Sequence, residues 1–330
     1  MKGNKKIFLD IGSQYISFYT DSCFLRERNL AVVRRGYGLE LLSCGSDTLS
    51  MIKSLPEHSY VVKPLENGSI TNPEALELVL KSLFSKYFKK RIIDKCQVYC
   101  LIPCGLSIAE RESLEKIIST TGYKDITLVE SILGLLPYTD GKATAVGILG
   151  ASMSDIGIID SSGIVSGLSI NLGGDSINEK IKEIVLDKKN LKISGTTSEK
   201  IKINLGSLYE NDKSLYEVVG QDILDQQFRK IDVSADHIRP AILHAYKRYV
   251  DIIESILTTI PNKSLGEVSL NGLLLAGGGA EMRGAIDFFA KYLKLPIRIL
   301  ERPEIAHLKG LSNLVNDKTG KYGEIFGNNR

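Results

Sequence analysis

Leu275-Ala276-Gly277-Gly278-Gly279-Ala280 is the stretch on which the interpretation of the whole chain depends. The apolar run from Val268 to Ala276 predicts a buried strand, three glycines follow it, and Glu281 to Tyr292 has the spacing of a helix. A glycine-rich turn between strand and helix can place amide donors and a helix N-terminus beside an anionic ligand. The alternative is a tight turn of the same kind that holds no ligand.

Two other glycine turns interrupt apolar runs. The first loop lies within the run Ile7 to Tyr19 and reads Asp10-Ile11-Gly12-Ser13-Gln14. The second loop lies within the run Ala143 to Leu172 and reads Gly150-Ala151-Ser152-Met153-Ser154-Asp155. Glycine lets backbone N–H groups approach an anion closely, and a serine hydroxyl adds a donor. A carboxylate at the end of a strand can also orient a hydrated magnesium ion. Taken alone, such a turn also occurs by chance in many ordinary hairpins.

The surroundings of these loops repeat along the chain. Ile7 to Leu25 and Val146 to Ile164 share the order strand, glycine turn, strand, polar turn, strand. Such an internal repeat indicates that the chain consists of two related halves. Strands mixed with amphipathic helices, of which Pro73 to Lys90 and Ser107 to Thr121 are examples, predict an α/β protein with layered sheets. Ser107 with Glu110 three residues later predicts a capping box.

A further pair of segments offers polar groups. Asn171-Leu172-Gly173-Gly174-Asp175 predicts a strand that leaves into a helix, and Ser198 to Leu208 predicts another helix. Glu199 and Lys202 are three residues apart and therefore share a helix face. They could flank a nucleoside, or they could form a plain surface ion pair.

Several common classes are excluded by what the sequence lacks. No GxGxxG precedes a suitably placed acid, no GxxxxGK[ST] occurs, and no GxSxG occurs. A formal net charge of +3 over 330 residues is too small for a nucleic-acid binder. No stretch reaches about 18 apolar residues without a charge, and the N-terminus has no secretory pattern.

The thiols and imidazoles do not predict a metal site. Among the five cysteines, Cys96, Cys100 and Cys104 recur every four residues in a predicted strand, where that step spans about 13 Å. This spacing is too wide for thiolates that share one zinc ion. An odd number of cysteines indicates reduced, cytosolic thiols. The four histidines show no ligand spacing, and we interpret all of them, His307 included, as incidental.

Taken in order, these pieces resemble the bacterial rod-shape-determining MreB family of actin-like ATPases over nearly the whole chain. Beyond the three glycine turns, the resemblance is carried by Pro64-Leu65-Glu66-Asn67-Gly68, Ile102-Pro103-Cys104-Gly105 with Glu110-Arg111, Gly173-Gly174-Asp175, Ser198 to Ser207, Val219-Gly220-Gln221-Asp222, Ile231-Asp232-Val233-Ser234 and Gly277 to Gly284. The ordered set is far more specific than any single member.

The resemblance implies an α/β actin-like ATPase fold with ribonuclease H-like duplicated lobes and four subdomains around a nucleotide cleft. Lobe I is expected over 1–142 plus 304–330, with subdomain IB at about 33–71. Lobe II is expected over 143–303, with subdomain IIB at about 181–239. ATP and Mg²⁺ are the implied ligands. The implied nucleotide-binding residues are Asp10 (also the metal residue), Gly12, Ser13, Gln14, Tyr15, Gly150, Ala151, Ser152, Gly173, Gly174, Asp175, Glu199, Lys202, Gly277, Gly278, Gly279, Ala280 and Met282.

The sequence departs from the family pattern where hydrolysis depends on it. Ser131 stands where the family places the water-positioning glutamate, and Ile148 stands where the second loop begins with an aspartate. Tyr15 replaces a smaller polar residue of the first loop. Positioning of water and of magnesium is the core of phosphoryl-transfer catalysis. We therefore predict very slow or absent hydrolysis, with no confident catalytic residue.

The resemblance also implies partners and a location. Family members form head-to-tail protofilaments and lie in the cytoplasm at the inner membrane surface with morphogenetic membrane proteins. Ile92 and Ile93, bracketed by cations in Lys89 to Lys95, suit insertion into an anionic interface, although a solvated basic loop is an equal alternative. A different reading is a nucleotide-independent actin-fold scaffold that copolymerises with an active paralogue.

Overall fold

The chain forms two compact units, each built around its own sheet. The computed structural model describes residues 5–20, 23–88 and 96–319. The first unit comprises the described residues up to Tyr138 together with those from His307 onward, and the second unit is Thr139–Ala306. The subdivision into four subdomains stays a prediction.

The first unit contains ten strands and three helices in its described part, and a fourth helix enters it at the C-terminal end. They are β1 (Lys5–Ile11), β2 (Tyr15–Tyr19), β3 (Phe24–Arg28), β4 (Ala31–Arg35), β5 (Leu39–Cys44), α1 (Thr48–Met51), β6 (Ser59–Val62), β7 (Leu65–Glu66), β8 (Ser69–Ile70), α2 (Pro73–Tyr87), β9 (Cys96–Ile102), α3 (Ile108–Ser119) and β10 (Asp125–Glu130). A 3₁₀ segment, Ser131–Tyr138, ends this part of the chain.

The second unit follows the same plan. Its elements are β11 (Thr144–Leu149), β12 (Ser154–Asp160), β13 (Gly163–Ile170), α4 (Gly174–Lys189), β14 (Leu191–Lys192), α5 (Gly195–Leu205), β15 (Leu215–Asp222), β16 (Phe228–Ser234), α6 (Ala235–Thr259), α7 (Asn262–Asn271), β17 (Leu273–Ala276), α8 (Ala285–Leu293) and β18 (Ile297–Ile299). Helix α9 (Pro303–Val315) then returns the chain to the first unit.

The main sheets of the two units have equivalent strand orders. The order is β10-β9-β1-β2-β3 in the first unit and β18-β17-β11-β12-β13 in the second. In both sheets an antiparallel three-strand meander is extended by two parallel strands. The duplication predicted from the two glycine hairpins is confirmed by this topology.

Apolar spacing accounts for the helices that cover the sheets. In α2 the buried residues Leu76, Val79, Leu80 and Leu83 recur every three or four positions and join the core of the first unit. Helix α3 begins with the predicted capping box, in which Ser107 and Glu110 bond each other's backbone N–H groups. No helix of the described residues combines the length and the apolar character that crossing a bilayer requires.

Three element boundaries predicted from the sequence are wrong. Val268 lies in α7 rather than in a strand. The predicted strand joined the last turn of α7 to β17, and the two elements are separated by Gly272, whose φ is +76°. Helix α8 begins at Ala285 rather than Glu281, after a short 3₁₀ turn over Gly278–Glu281. Helix α5 covers Gly195–Leu205 instead of Ser198 to Leu208.

Candidate functional site

The first loop is a closed hairpin turn between β1 and β2. The backbone N–H of Gly12 donates to the carbonyl of Tyr15 at 2.9 Å, so Ser13 and Gln14 form the tip. A Cβ on Gly12 would lie only 3.0 Å from that carbonyl, which explains the glycine. The turn is also fixed from outside by Asn29, because its side-chain amide donates to the Gly12 carbonyl and its backbone N–H donates to the Gln14 carbonyl, both at 2.9 Å.

Asp10 lies near the end of β1 and contacts a histidine. It pairs with Ser17 across the β1–β2 ladder, and its Oδ2 lies 3.2 Å from Nε2 of His307 on α9. The His307 side chain is 8% exposed, and its Nδ1 has no hydrogen-bond partner among the described residues. His307, interpreted as incidental from the sequence, therefore faces the predicted metal residue Asp10. Only the packing of α9 on the sheet brings the two residues together.

The second loop repeats the geometry of the first. The backbone N–H of Gly150 donates to the carbonyl of Met153 at 3.0 Å, which again closes a four-residue turn. Ile148, 7% exposed, pairs with Asp155 on β12, and Asp155 pairs with Ser169 on β13. Asp155 is also buried, and the Ser169 hydroxyl donates to its carboxylate. The second unit thus keeps a carboxylate in this cross-strand row, one strand away from Ile148.

The start of α4 packs directly on the second loop. The backbone N–H groups of Gly174 and Asp175 donate to the carbonyls of Gly150 and Ala151 at 3.1 and 2.7 Å. The Ser152 hydroxyl donates to Oδ2 of Asp175 at 2.7 Å. A Cβ on Gly173 would lie 2.4 Å from the Ala151 carbonyl, so glycine is required there. Two predicted segments of the nucleotide site therefore form one structural piece.

Lys202 joins α5 to this piece. Its Nζ donates to the Gly174 carbonyl at 2.9 Å rather than forming a surface ion pair with Glu199. Burial lowers the pKa of the Lys202 ammonium, and the nearby carboxylates of Asp175 and Glu199 oppose that effect. An ammonium held beside two carboxylates and a carbonyl is well placed to donate to a neutral polar ligand such as a nucleoside hydroxyl.

The triple-glycine turn packs on the other side of the second loop. Gly277 has a φ of +80°, and a Cβ on it would lie 2.4 Å from the Leu149 carbonyl. Gly279 approaches the Leu149 side chain in the same way, and the Tyr246 hydroxyl donates to its carbonyl. Gly278 is exposed, and a Cβ there would meet no atom within 4 Å. The expected helix N-terminus at this turn is wrong, since α8 begins seven residues after Gly278.

Met282 and Ala280 complete this group of residues in the second unit. A Cβ on Gly206, at the end of α5, would lie 2.9 Å from the sulfur of Met282. Ala280 is fully buried in the core. The structure therefore brings together all the predicted residues of the second unit, which lie in the second loop, the start of α4, α5 and the triple-glycine turn.

Ser131 and Ile148, two of the three positions at which the sequence departs from the family pattern, are both buried. Ser131, 6% exposed, begins the 3₁₀ segment after β10. The carboxylate next to it in sequence, Glu130, pairs with Arg111. At neither Ser131 nor Ile148 does the side chain itself supply a carboxylate.

The described residues do not form a magnesium site on their own. Among the described residues no group of three His, Cys, Asp or Glu side chains could hold a metal ion, and Asp10 Oδ2 already faces His307. Magnesium in nucleotide sites is held by one or two carboxylates together with substrate phosphates.

Ile92 and Ile93, the predicted membrane residues, lie outside the described residues.

Duplicated sheets of this strand order, with a glycine hairpin at the same place in each, define an actin-like protein. A family model described as MreB/Mbl protein matches residues 4–321, and the chain belongs to this family. The cell shape-determining protein Mbl of Bacillus cereus (strain ATCC 10987 / NRS 248) is 25% identical over 316 residues, which cover 91% of this chain and 92% of that protein. The cell shape-determining protein MreB of Escherichia coli (strain K12) is 22% identical over 310 residues, with 89% and 88% covered.

Solved structures show the same fold. MreB5 of Spiroplasma citri bound to AMPPNP superposes with a TM-score of 0.87 at 24% identity and covers 99% of this chain and 100% of its own. The MamK double helical filament superposes with a TM-score of 0.78 at 14% identity, with 94% and 99% covered. The chain is thus an actin-like cytoskeletal protein of the MreB/Mbl family, as the resemblance implied.

Proposed function

We propose that this chain is a cell-shape filament protein that binds ATP and hydrolyses it slowly or not at all. The observation that carries the proposal is the convergence, within the second unit, of the second loop, the start of α4, Lys202 and the triple-glycine turn. Relatives of the same fold support it, since MreB5 of Spiroplasma citri has been solved with AMPPNP and with ADP.

The residues divide the task of holding a nucleotide. Glu199, Lys202, Gly173, Gly174 and Asp175 contribute the polar groups that suit the ribose, and the open surface at Gly278 suits the flat face of the adenine. The second loop suits a phosphate, because backbone N–H groups and serine hydroxyls in a glycine turn are anion donors. The first loop offers the same kinds of group in its own unit. Slow hydrolysis follows from Ser131 and Ile148. The serine hydroxyl is a weaker base and a shorter side chain than the glutamate of the family pattern, and isoleucine offers no group to a hydrated metal ion.

A substitution at Gly278 tests this proposal without disturbing the fold. Gly278→Val adds a side chain in open space at the predicted adenine face, so we expect at least tenfold weaker ATP binding in isothermal titration calorimetry with unchanged thermal stability. Gly266→Val is the matched control, because Gly266 is also exposed with open space around a Cβ, but lies in α7. Absence of any heat from ATP with the unmodified chain would instead favour the nucleotide-independent scaffold.

Filament formation and membrane contact complete the proposal. Head-to-tail assembly creates a contact between different surfaces of successive copies, which propagates into a protofilament rather than closing. Electron microscopy of the purified chain with ATP, alone and mixed with an active paralogue, separates self-assembly from copolymerisation. Co-sedimentation with anionic liposomes of the Ile92→Ser, Ile93→Ser variant tests the peripheral membrane location, and unchanged binding would remove these residues from the proposal.

A further inference from the structure

Two arginines pack against the ring of Tyr15, the residue whose backbone carbonyl closes the first loop. The guanidinium carbons of Arg26 and Arg28, both on β3, lie 3.8 and 4.5 Å from the ring centroid of Tyr15. The β2–β3 register places Arg28 directly opposite Tyr15 and Arg26 directly opposite Ser17. A guanidinium over a tyrosine ring is attracted by the ring quadrupole, so Tyr15 holds both cations in place.

These cations lack an acidic partner in the described part of the chain. Neither arginine forms an ion pair there, and the one polar contact is from Arg28 Nη1 to the Gln14 Oε1 at 3.5 Å. Residues two apart on one face of a strand are about 7 Å apart, so the two charges repel each other. An anion bound between them removes that repulsion, and Gln14 places it at the tip of the first loop.

The same row of the second unit has no cation. Asp10, Ser17 and Arg26 lie side by side across β1, β2 and β3, and their counterparts across β11, β12 and β13 are Ile148, Asp155 and Ser169. Arg26 therefore lies two strands from Asp10, about 10 Å away along the row. The chain has a fixed cation in the sheet of the first loop and an isoleucine where its relatives' pattern calls for a metal-orienting aspartate.

We propose that Arg26 and Arg28 form a polyphosphate site at the first loop, so that the triphosphate is neutralised by guanidinium groups rather than by magnesium. This inference rests on the proposed function, because ATP is the proposed ligand and carries a triphosphate. Arginine suits the role, since its planar fork bonds two phosphate oxygens at once and keeps its charge at all physiological pH values. Tyr15, which departs from the family pattern of the first loop, thus has a role in this site, because its ring packs against both arginines.

The test measures three probes by isothermal titration calorimetry in EDTA: ATP, adenosine and inorganic tripolyphosphate. We expect the unmodified chain to bind ATP in EDTA within about threefold of its affinity in magnesium. The Arg26→Gln, Arg28→Gln variant should bind ATP and tripolyphosphate at least about tenfold more weakly and adenosine equally well. Arg35→Gln is the matched control for lost charge, since Arg35 is an exposed arginine at the end of β4, in another sheet.

The outcomes separate this inference from the proposed function. If the double variant binds ATP and tripolyphosphate as tightly as the unmodified chain, or if ATP binds only when magnesium is present, the arginine site is refuted. If neither ATP nor adenosine binds while tripolyphosphate binds through the arginines, the site stands and the nucleotide function falls. No binding of any probe refutes both. Tyr15→Phe, which keeps the ring, should retain the affinity, whereas Tyr15→Ala should lose part of it.

Discussion

Glu27 is a buried carboxylate whose surroundings make it a sensitive probe of the first unit. Its side chain is 7% exposed, and it accepts hydrogen bonds from the Ser46 backbone N–H at 2.8 Å, from Lys86 Nζ at 3.2 Å and from the Tyr87 hydroxyl. Burial by itself raises the pKa of Glu27, but the hydrogen bonds from Tyr87, Ser46 and Lys86 outweigh it and lower the pKa to about 2. The group therefore favours folding only while it is charged.

Glu27→Gln should destabilise the protein by about 2 kcal/mol at pH 7, because the neutral amide keeps the shape but loses the charged hydrogen bonds. A carboxylate whose folded pKa is depressed contributes fully above its ordinary value of 4.5 and loses that contribution as the pH falls toward 2. Denaturant unfolding at pH 7, 5 and 3 should show the difference in stability between variant and parent smaller at pH 3 than at pH 7. A constant gap would contradict the assignment. Glu40→Gln, in an exposed pair with Arg34, should change stability by less than about 1 kcal/mol.

Asn29 supports the first loop from a neighbouring strand connection. Asn29→Ala removes the side-chain donor to Gly12 but keeps the backbone bond to Gln14. We expect faster amide hydrogen exchange across residues 12–15 and ATP affinity reduced about threefold to tenfold, because loosening the turn raises the cost of ordering it around an anion. Asn316→Ala, an amide removed near the end of the described chain, is the control. Unchanged exchange at the loop would show that Asn29 does not hold it.

At the scale of elements, α9 and the 3₁₀ segment Ser131–Tyr138 pack backbone against backbone. A Cβ on Gly134 would lie 2.2 Å from the His307 carbonyl, and one on Gly310 would lie 1.7 Å from the Gly134 carbonyl. Neither glycine has a positive φ, so the requirement is close approach rather than turn geometry. This contact also carries His307 toward Asp10, so the packing of α9 and the position of the candidate site are linked.

Gly310→Ala should lower the free energy of unfolding by about 1–3 kcal/mol, since the added methyl group overpacks two segments of backbone that cannot yield separately. Gly266→Ala is the control of opposite sign. It lies in the exposed middle of α7 with open space around a Cβ, and there alanine should stabilise by up to about 1 kcal/mol. Thermal and denaturant unfolding measure both effects. Equal stabilities of the two variants would argue against the close packing of α9.

The sequence predicted the elements whose signal is local and missed what depends on distant packing. The glycine hairpins, the apolar spacing of α2 and the capping box of α3 were all recognisable, because each is set by residues within a few positions of each other. Helix α7 was missed because its apolar residues merge into those of β17. His307 and Asn29 could not be found, since their partners lie 297 and 17 residues away. Asp155 could have been predicted as a polar residue of this row. It lies two residues after the turn that ends at Met153, in the position that pairs with Ile148.

At the scale of the molecule, duplication makes the two units comparable position by position. Each unit keeps a closed glycine turn and one carboxylate in the row of residues behind it, on the first strand in one unit and on the second strand in the other. The two main sheets thus share their strand order, while the polar residues in corresponding rows differ between the units. The predicted loss of hydrolysis would then result from the side chains of Ser131 and Ile148, one in each unit, and not from a change in the fold.

Restoring both carboxylates should restore turnover. We expect the parent chain to release phosphate from ATP very slowly. The Ser131→Glu, Ile148→Asp variant should do so at least about tenfold faster, because the family pattern combines a water-positioning glutamate with a metal-orienting aspartate. Each single variant should gain much less, since either group alone leaves the water or the metal ion unplaced. Malachite-green detection of phosphate in the presence of magnesium measures all four proteins.

The burial of Ser131 and Ile148 determines which control variants that experiment needs. Ser131 and Ile148 are 6% and 7% exposed, so a new carboxylate at either position costs stability unless a ligand or metal ion faces it. Ser131→Gln, Ile148→Asn has nearly the same shape without the charges, and it should be destabilised less and remain inactive. If the acidic variant melts as a folded protein yet releases phosphate no faster than this amide pair, the slow hydrolysis has another cause than the two missing acids. If the parent already hydrolyses ATP as fast as the acidic variant, the two substitutions never impaired the site.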